Sequence, residues 1–247
     1  MNTRMFTEFK EYCLDFLYPR RCAICGQIAS PKGNLVCVQC APRLRPIEEP
    51  KCKCCGKAIE NMEQEYCSDC KKRTYYFEYG FALWNYDKVM RKSIADFKYH
   101  HRREYAEFYG EQFVEKYGQQ LLALQLDAII PVPVHWTRYI ERGYNQAQVV
   151  AEQIGSRTGI PVLGDVLLRK KRTVAQKNLN DKERFRNLEH AFSVTDKWKN
   201  SGEILKRVLL IDDIYTTGST LSMCAKVLRQ AGITEVYFGV LCIGFGY

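Results

Sequence analysis

The spacing of apolar positions changes along the chain and predicts two parts. Residues 5–17 place apolar side chains at helical intervals, which predicts a helix that ends before Pro19. The segment that follows, up to about residue 73, contains glycine and proline but no long periodic run. We therefore expect an N-terminal helix and a small module over residues 1–75, and a larger domain over residues 76–247.

The larger domain alternates short apolar runs with longer amphipathic stretches. Strands are predicted over residues 79–86, 128–134, 162–168, 207–211 and 235–243. Helices are predicted over residues 88–99, 103–117, 145–158 and 219–230. A long polar and basic stretch, residues 170–187, is predicted to be a loop. Strands that alternate with helices favour an α/β fold with a mainly parallel sheet covered on both faces.

Composition and charge narrow the class of protein. The chain has 247 residues, of which 46% are hydrophobic, and this is enough for a sizeable core. No stretch approaches the roughly 20 apolar residues of a membrane span. Charged residues interrupt the apolar positions near the N-terminus, so we expect no signal peptide and a cytoplasmic protein. The formal net charge of +9 suits an anionic ligand or a nucleic acid and does not choose between them.

Twelve cysteines are many for a cytoplasmic chain, and most of them lie in the N-terminal part. They include four Cys-x2-Cys pairs, each of which can direct two sulfurs at one metal ion. The eight residues are Cys22, Cys25, Cys37, Cys40, Cys52, Cys55, Cys67 and Cys70. Four thiolates leave no open position on the metal, so two structural zinc ions are predicted. Three alternatives stay open: reduced cysteines without metal, interleaved pairs, and Cys54 as a ligand in place of Cys52 or Cys55.

A second group of residues indicates a site for a phosphorylated sugar. The apolar run from residue 208 to residue 211 fits a buried parallel strand. Asp212 and Asp213 follow it at the carboxyl end, which is the edge where open α/β sheets bind ligands. Adjacent carboxylates there can accept hydrogen bonds from the two hydroxyls of a ribose ring.

The turn that follows these acids is predicted to hold a phosphate. It consists of Thr216, Thr217, Gly218, Ser219 and Thr220, and it leads into a helix. Gly218 allows the backbone to turn tightly, while the exposed amides, the hydroxyl groups and the positive end of the helix can cradle the phosphate. The alternative is an ordinary strand–turn–helix with an Asp-rich turn. The segment is not a Walker loop, because it lacks Gly-Lys-Ser/Thr at the required spacing.

These residues give the chain its resemblance to known proteins. The segment from Val208 to Thr220 resembles the signature of type I phosphoribosyltransferases. The double cysteine module and three further sets of residues resemble the ComF family of competence proteins. These sets are Ile130–Pro131–Val132–Pro133; Arg142–Gly143–Tyr144–Asn145–Gln146–Ala147; and Gln176, Leu179, Arg184 and Asn187. The resemblance implies a type I phosphoribosyltransferase fold with a small N-terminal zinc-binding module whose metal ions are each held by four cysteines.

The resemblance also implies a ligand, which is 5-phosphoribosyl 1-pyrophosphate with magnesium. Asp212 and Asp213 are the expected catalytic acids, which hold the ribose hydroxyls, and the turn after them would hold the 5-phosphate. Val134 and His135 lie in the loop after the first core strand, which holds pyrophosphate in the superfamily. A plain loop between a strand and a helix is the alternative for that segment.

Two sets of cations are candidates for binding anions. By analogy with the superfamily, Arg142 adds positive charge near the pyrophosphate, and Arg169 and Lys170 begin a mobile catalytic loop that closes on the ligand. The alternative for this basic stretch is a solvated surface.

A further basic cluster contains Lys98, Arg102 and Arg103 and lies around Tyr99. We predict that it binds single-stranded DNA, because cations neutralise backbone phosphates and an aromatic ring stacks on bases. The alternative is a helix end whose cations lie near the negative pole of the helix.

The family resemblance favours a competence protein that binds the sugar pyrophosphate and single-stranded DNA during DNA uptake in natural transformation. A DNA-translocating ATPase is the expected partner, and partners would recruit the cytoplasmic protein to the inner face of the membrane. The alternative is a phosphoribosyltransferase of nucleotide salvage, and glycosyltransferase activity toward an unknown acceptor stays open. An adaptor with a degenerate pocket ranks last, because the phosphate turn is intact.

Overall fold

The computed structural model describes residues 19–170 and 191–244. In chain order its helices are α1 (Ser68–Lys71), α2 (Lys88–Tyr99), α3 (Tyr105–Ala123), α4 (Trp136–Arg142), α5 (Gln146–Thr158), α6 (Asp196–Lys199) and α7 (Ser219–Gln230). Its strands are β1 (Gly80–Asn85), β2 (Ala128–Pro131), β3 (Leu167–Arg169), β4 (Phe192–Val194), β5 (Arg207–Tyr215) and β6 (Glu235–Ile243). The predicted helix over residues 5–17 and nearly all of the predicted loop lie outside the described residues.

Four strands form one parallel sheet in the order β1–β6–β5–β2. Alternate residues of a strand point to opposite faces of the sheet. Leu209 and Ile211 of β5 therefore lie in the core on one face, and Val208 and Leu210 lie in the core on the other. All four side chains are buried, as expected for a parallel sheet with helices on both faces. The predicted fold class is confirmed.

Helices α2, α3 and α5 cover one face of this sheet, and α7 covers the other. Ile94, Phe113 and Ile154 of the first three helices are fully buried in one core, and Leu221 and Leu228 of α7 are buried in the second. Because both faces are covered, the carboxyl edge of the sheet is where side chains from several elements can meet a ligand. Among the helices of the described residues, none is long and apolar enough to cross a membrane.

The predicted single strand over residues 162–168 is wrong. Val162 forms one parallel bridge with Ile129 of β2, and the chain then turns at Gly164 and Asp165. After this turn β3 pairs antiparallel with β4 in a separate two-stranded sheet. Glycine and aspartate favour turns, and here they divide an apolar run that looks continuous in the sequence.

Two other strand ends differ from the prediction. β2 ends at Pro131 rather than at residue 134, because Pro133 has no N–H to give to a sheet. Helix α4 follows, where the sequence predicted only a loop. β5 continues beyond Ile211 and stays paired with β6 as far as Tyr215. The predicted acid pair therefore lies inside β5, on a stretch that has no β2 partner beyond Ile211.

The cysteine-rich segment packs on both sides of the edge strand β1. Ile47 donates its N–H to the carbonyl of Leu83 at 2.9 Å, and Pro46 forms a bridge with Trp84, so the chain crosses the outer edge of the sheet here. The first cysteine set shares a core with α2 and α3, and the second shares a core with α7. A Cβ on Gly56 would lie 2.2 Å from a carbonyl oxygen of β1, so this approach of the second set requires glycine.

Candidate ribose-phosphate site and metal centres

The turn after β5 has the geometry of an anion site. Gly218 adopts φ +73°, and a Cβ on it would lie 2.4 Å from the hydroxyl oxygen of Tyr215. Thr217 Oγ1 and Ser219 Oγ lie 2.9 Å apart. Within the described part of the chain no side chain caps α7, and the positive end of this helix is directed at the turn. The five residues predicted to hold phosphate occupy this turn and the start of α7; they are Thr216, Thr217, Gly218, Ser219 and Thr220.

The two aspartates have different surroundings because they are neighbours on a strand. The side chain of Asp213 points to the face of α2, where its Oδ1 lies 2.8 Å from Lys98 Nζ in an ion pair whose side chains are 14% and 15% exposed. Asp212 points to the opposite face, where its charge acts on the buried thiol of Cys224 in α7. Asp212 Oδ1 also accepts a hydrogen bond from the backbone N–H of Asp213 at 2.8 Å.

These surroundings give the two acids different roles. Burial, followed by the charge of Asp213, raises the pKa of Asp212 to about 7, from an ordinary value of 3.8. Lys98 and Arg169 act in the opposite direction but do not cancel the effect. Asp212 can therefore hold or release a proton near neutral pH, while Asp213 is bound to Lys98. A ribose or a metal ion at this edge would contact Asp212, whose pKa is raised, and Asp213, which is ion-paired with Lys98.

The cations predicted to surround the ligand lie at different places. Burial lowers the pKa of Arg169, and the charge of Asp212 acts against this change. Arg142 is buried, donates to Gln146 Oε1 at 2.8 Å, and lies over the ring of Tyr99 at 5.1 Å. Lys170 is exposed. Arg169 thus interacts with the charge of Asp212, whereas Arg142 binds its protein neighbours and Lys170 faces solvent.

The predicted pyrophosphate segment leaves the sheet next to the acids. Val132 donates its N–H to the carbonyl of Ile211 at 2.8 Å, so the chain leaves the sheet beside the residue of β5 that precedes Asp212. His135 is buried and caps α4, with its Nδ1 accepting the Thr137 N–H at 3.3 Å. Val134 lines an open cleft of about 490 Å³. Its other lining residues are Pro133, Tyr139, Asn145, Gln148, Gly164 and Asp165.

Lys98, Arg102 and Arg103, the predicted nucleic-acid-binding residues, each lie beside a different carboxylate. Lys98 lies at the carboxyl edge of the sheet, where it forms its ion pair with Asp213. Arg102 lies 3.7 Å from Glu104 across the N-terminus of α3, and Arg103 is largely exposed at 4.0 Å from a carboxylate of α5. The sequence already indicated that Lys98 faces the protein. It comes four residues after the buried Ile94 and so lies on nearly the same side of α2.

Each of the two cysteine sets brings four sulfur atoms together. Within a set, all sulfurs lie within 4.8 Å of one another. Cys25 Sγ and Cys37 Sγ are 4.0 Å apart, and Cys55 Sγ and Cys67 Sγ are 3.8 Å apart. A tetrahedral zinc ion with bonds of about 2.3 Å separates its sulfurs by about 3.8 Å. The sets therefore fit two structural zinc ions, paired in chain order rather than interleaved, and Cys54 lies outside the second set.

Backbone amides support the thiolates of the first set. Ile24 and Cys37 direct their N–H groups at Cys22 Sγ, both at 3.4 Å, and Ser30 directs its N–H at Cys37 Sγ at the same distance. Such donors stabilise negative charge on sulfur and fix the orientation of the ligands. With all four positions filled by cysteine, these centres are structural.

The fold and these sites define a phosphoribosyltransferase-like protein that carries two zinc ribbons. Residues 13–71 match the family model described as a double zinc ribbon domain. Competence protein F of Haemophilus influenzae is 32% identical over 229 residues, which cover 87% of this chain and 93% of the relative. Competence protein ComFC of Streptococcus pneumoniae is 26% identical over 234 residues, covering 87% of this chain and 96% of the relative. The chain belongs to the ComF family of competence proteins.

Solved structures add a weaker likeness. Adenine phosphoribosyltransferase from Leishmania tarentolae superimposes with a TM-score of 0.35 and 15% identity, over 59% of this chain and 73% of that one. The fold is defined by the order of the parallel sheet and by the strand–turn–helix unit after β5. The family-like positions Gln176, Leu179, Arg184 and Asn187 lie outside the described residues.

Proposed function

We propose that the protein binds 5-phosphoribosyl 1-pyrophosphate with magnesium at the carboxyl edge of its sheet. One observation carries the proposal: the acid pair and the uncapped helix turn with Gly218 belong to a single strand–turn–helix unit. Asp212 and Asp213 would accept hydrogen bonds from the ribose hydroxyls, and the turn would bind the 5-phosphate through its amides and hydroxyls.

The charges around the acids favour a ligand of this kind. Lys98 and Arg169 act on the acids from α2 and β3, so they would also face the diphosphate group of a bound ligand. Val134 and His135 follow β2 beside the acids and would hold the pyrophosphate, and Arg142 would add positive charge nearby. Magnesium prefers oxygen ligands and would bridge pyrophosphate and ribose oxygens, neutralising part of their charge.

The biological role follows from the family. As a ComF-family protein, the chain would act in DNA uptake during natural transformation, bind single-stranded DNA and work with a DNA-translocating ATPase. These partners would recruit it from the cytoplasm to the inner face of the membrane. The net charge of +9 supports binding to a polyanion. Arg102 and Arg103 remain the candidate DNA contacts, because Lys98 is used at the pocket.

Isothermal titration with the sugar pyrophosphate, with and without magnesium, tests the ligand. We expect saturable binding that requires magnesium and that Asp213→Ala weakens at least tenfold, since the variant loses an acceptor of the ribose. Glu203→Ala is the control, because Glu203 is exposed and lies outside the sheet edge. Wild-type protein that does not bind, or Asp213→Ala protein that binds equally well, contradicts the proposal.

A phosphoribosyltransferase of nucleotide salvage is the second candidate. The complete set of acids, phosphate turn and nearby cations favours it, since an adaptor would not need to keep these groups. Incubation with the sugar pyrophosphate, magnesium and each common nucleobase, followed by measurement of released pyrophosphate, separates the two. Release that depends on one base supports the enzyme, and tight binding without release supports a non-catalytic role.

A further inference from the structure

The second cysteine set continues directly into a segment that contacts the phosphate turn. The set ends at Cys70 in α1, and Tyr75 follows five residues later. The hydroxyl of Tyr75 donates to the carbonyl oxygen of Thr217 at 3.1 Å. In the next residue, the backbone N–H of Tyr76 donates to Ser222 Oγ at 3.3 Å. One short segment therefore binds both the turn and the first helical turn of α7.

Aromatic rings form a second connection between this segment and the turn. Tyr75 stacks on Phe77 with centroids 4.8 Å apart, and Phe77 meets Phe238 of β6 edge-on at 4.6 Å. Phe238 stacks on Tyr215 at 5.3 Å with an angle of 15° between the planes. Tyr215 in turn lies directly under Gly218, where a Cβ would overlap its hydroxyl. Four rings thus connect the end of the cysteine module to the residues on both sides of the turn.

The two cysteine sets differ in this respect. Cys52, Cys55 and Cys67 are buried in the same core as Tyr215 and Leu221, which flank the phosphate turn. The first set is buried with α2 and α3 on the other face of the sheet. Its backbone reaches α2 through the carbonyl of Ala23, which accepts a hydrogen bond from Ser93 Oγ. Only the second set has a short route to the turn among the described contacts.

We propose that the second four-cysteine centre, acting through Tyr75, holds the phosphate turn in its binding conformation, so that Tyr75 is a positioning residue of the anion site. The proposal rests on the proposed function only for its effect on ligand affinity. The effect on the turn itself is a property of the free protein. Loss of the metal from the second centre would then loosen the turn, whereas loss from the first centre would not.

Tyr75→Phe and its neighbour Tyr76→Phe form a matched pair of variants. The first removes the hydroxyl that holds Thr217, and the second removes a hydroxyl while keeping the backbone contact to Ser222 and the ring beneath Lys226. Hydrogen exchange of residues 216–222 in the free protein is the first measurement. We expect several-fold faster exchange there in Tyr75→Phe, unchanged exchange in α2, and wild-type rates in Tyr76→Phe.

Affinity for the sugar pyrophosphate is the second measurement. We expect Tyr75→Phe to bind about fivefold more weakly, as fits one hydrogen bond of about 1 kcal/mol, and Tyr76→Phe to bind like wild type. Because hydrogen exchange is measured without ligand, it tests Tyr75 even if wild-type protein does not bind, in which case only the proposed function fails. Wild-type exchange in Tyr75→Phe overturns the proposal, and so does unchanged affinity when wild-type protein binds.

Cysteine variants test the link to the metal centres. Cys70→Ser and Cys25→Ser each remove one partly exposed ligand, one from each set. We expect both variants to lose zinc by elemental analysis, and only Cys70→Ser to speed exchange in residues 216–222. Equal exchange in the two variants overturns the link. Should Cys70→Ser unfold, the Tyr75→Phe pair still decides whether the turn is held from this side.

Discussion

Asp212 is expected to destabilise the folded protein at neutral and alkaline pH, and Asp212→Asn to remove that cost. Burial and the neighbouring Asp213 raise the pKa of Asp212 to about 7 in the folded state. An acid with a raised pKa binds more protons in the folded state than in the unfolded state, so stability falls as pH rises from the unfolded to the folded pKa. Asparagine does not titrate, and its oxygen can still accept the N–H of Asp213.

The size of the effect follows from the pKa. One pKa unit corresponds to about 1.4 kcal/mol. With a pKa of about 7, Asp212 is on average half protonated in the folded protein between about pH 6 and about pH 8, whereas it is ionised in the unfolded chain. Over these two pH units, wild-type protein should therefore lose about 1.4 kcal/mol of unfolding free energy relative to Asp212→Asn. The zinc centres and the titrating groups that do not act on Asp212 are common to both proteins and cancel in the difference.

Urea unfolding at several pH values, followed by tryptophan fluorescence, measures this difference. Trp84 is buried against Phe108 and reports loss of the core. Asp213→Asn is the contrasting variant, since it leaves Lys98 without its partner, and breaking a buried pair costs about 3 kcal/mol. A difference between Asp212→Asn and wild type that stays flat from about pH 6 to about pH 8 refutes the reasoning. Equal destabilisation by the two asparagine variants refutes it as well.

Three further outcomes are expected. Elemental analysis of purified protein should find two zinc ions per chain, with one fewer in Cys22→Ser, and no zinc or iron in its place would contradict the assignment. Gly218→Ala should abolish binding of the sugar pyrophosphate, because the added Cβ meets the Tyr215 hydroxyl. Gly202 has a similar φ of +75° but open space around it, so Gly202→Ala should bind normally. Equal binding by the two variants would contradict this prediction. Replacing Arg102 and Arg103 with alanine should flatten the salt dependence of single-stranded DNA binding by about 1.4 in log–log slope without changing ligand affinity, and an unchanged slope would exclude this surface.

Local patterns in the sequence were sufficient to predict most of the fold. Helices α2 and α7 and strand β6 have the predicted bounds, because their apolar periodicity and flanking residues agree. Helix α4 was not predicted, since its exposed Trp136, Tyr139 and Ile140 give no buried stripe. The division of residues 162–168 was also missed, because pairing in a sheet depends on partners that are distant in the chain.

At the site, too, contiguous motifs could be predicted from the sequence, whereas contacts between distant residues could not. The phosphate turn, the acids and the cysteine sets are each contiguous or regularly spaced, so their residue types and spacing predict them directly. The contacts of Lys98 with Asp213, and of Tyr75 with Thr217, join residues 115 and 142 positions apart. No spacing rule links such pairs, and only the packing of α2 and of the second cysteine set brings them together.

The strand geometry gives Asp212 and Asp213 different surroundings and therefore different chemistry. As two adjacent letters, Asp212 and Asp213 look equivalent, and like charges side by side would repel each other. The continuation of β5 through both residues turns them to opposite faces, where one meets Lys98 and the other is buried beside α7. The ion pair neutralises Asp213, and the raised pKa lets Asp212 hold its proton near neutral pH. The acid pair therefore packs without two uncompensated charges, and a ligand that needs the carboxylate form of Asp212 would bind with release of one proton to solvent.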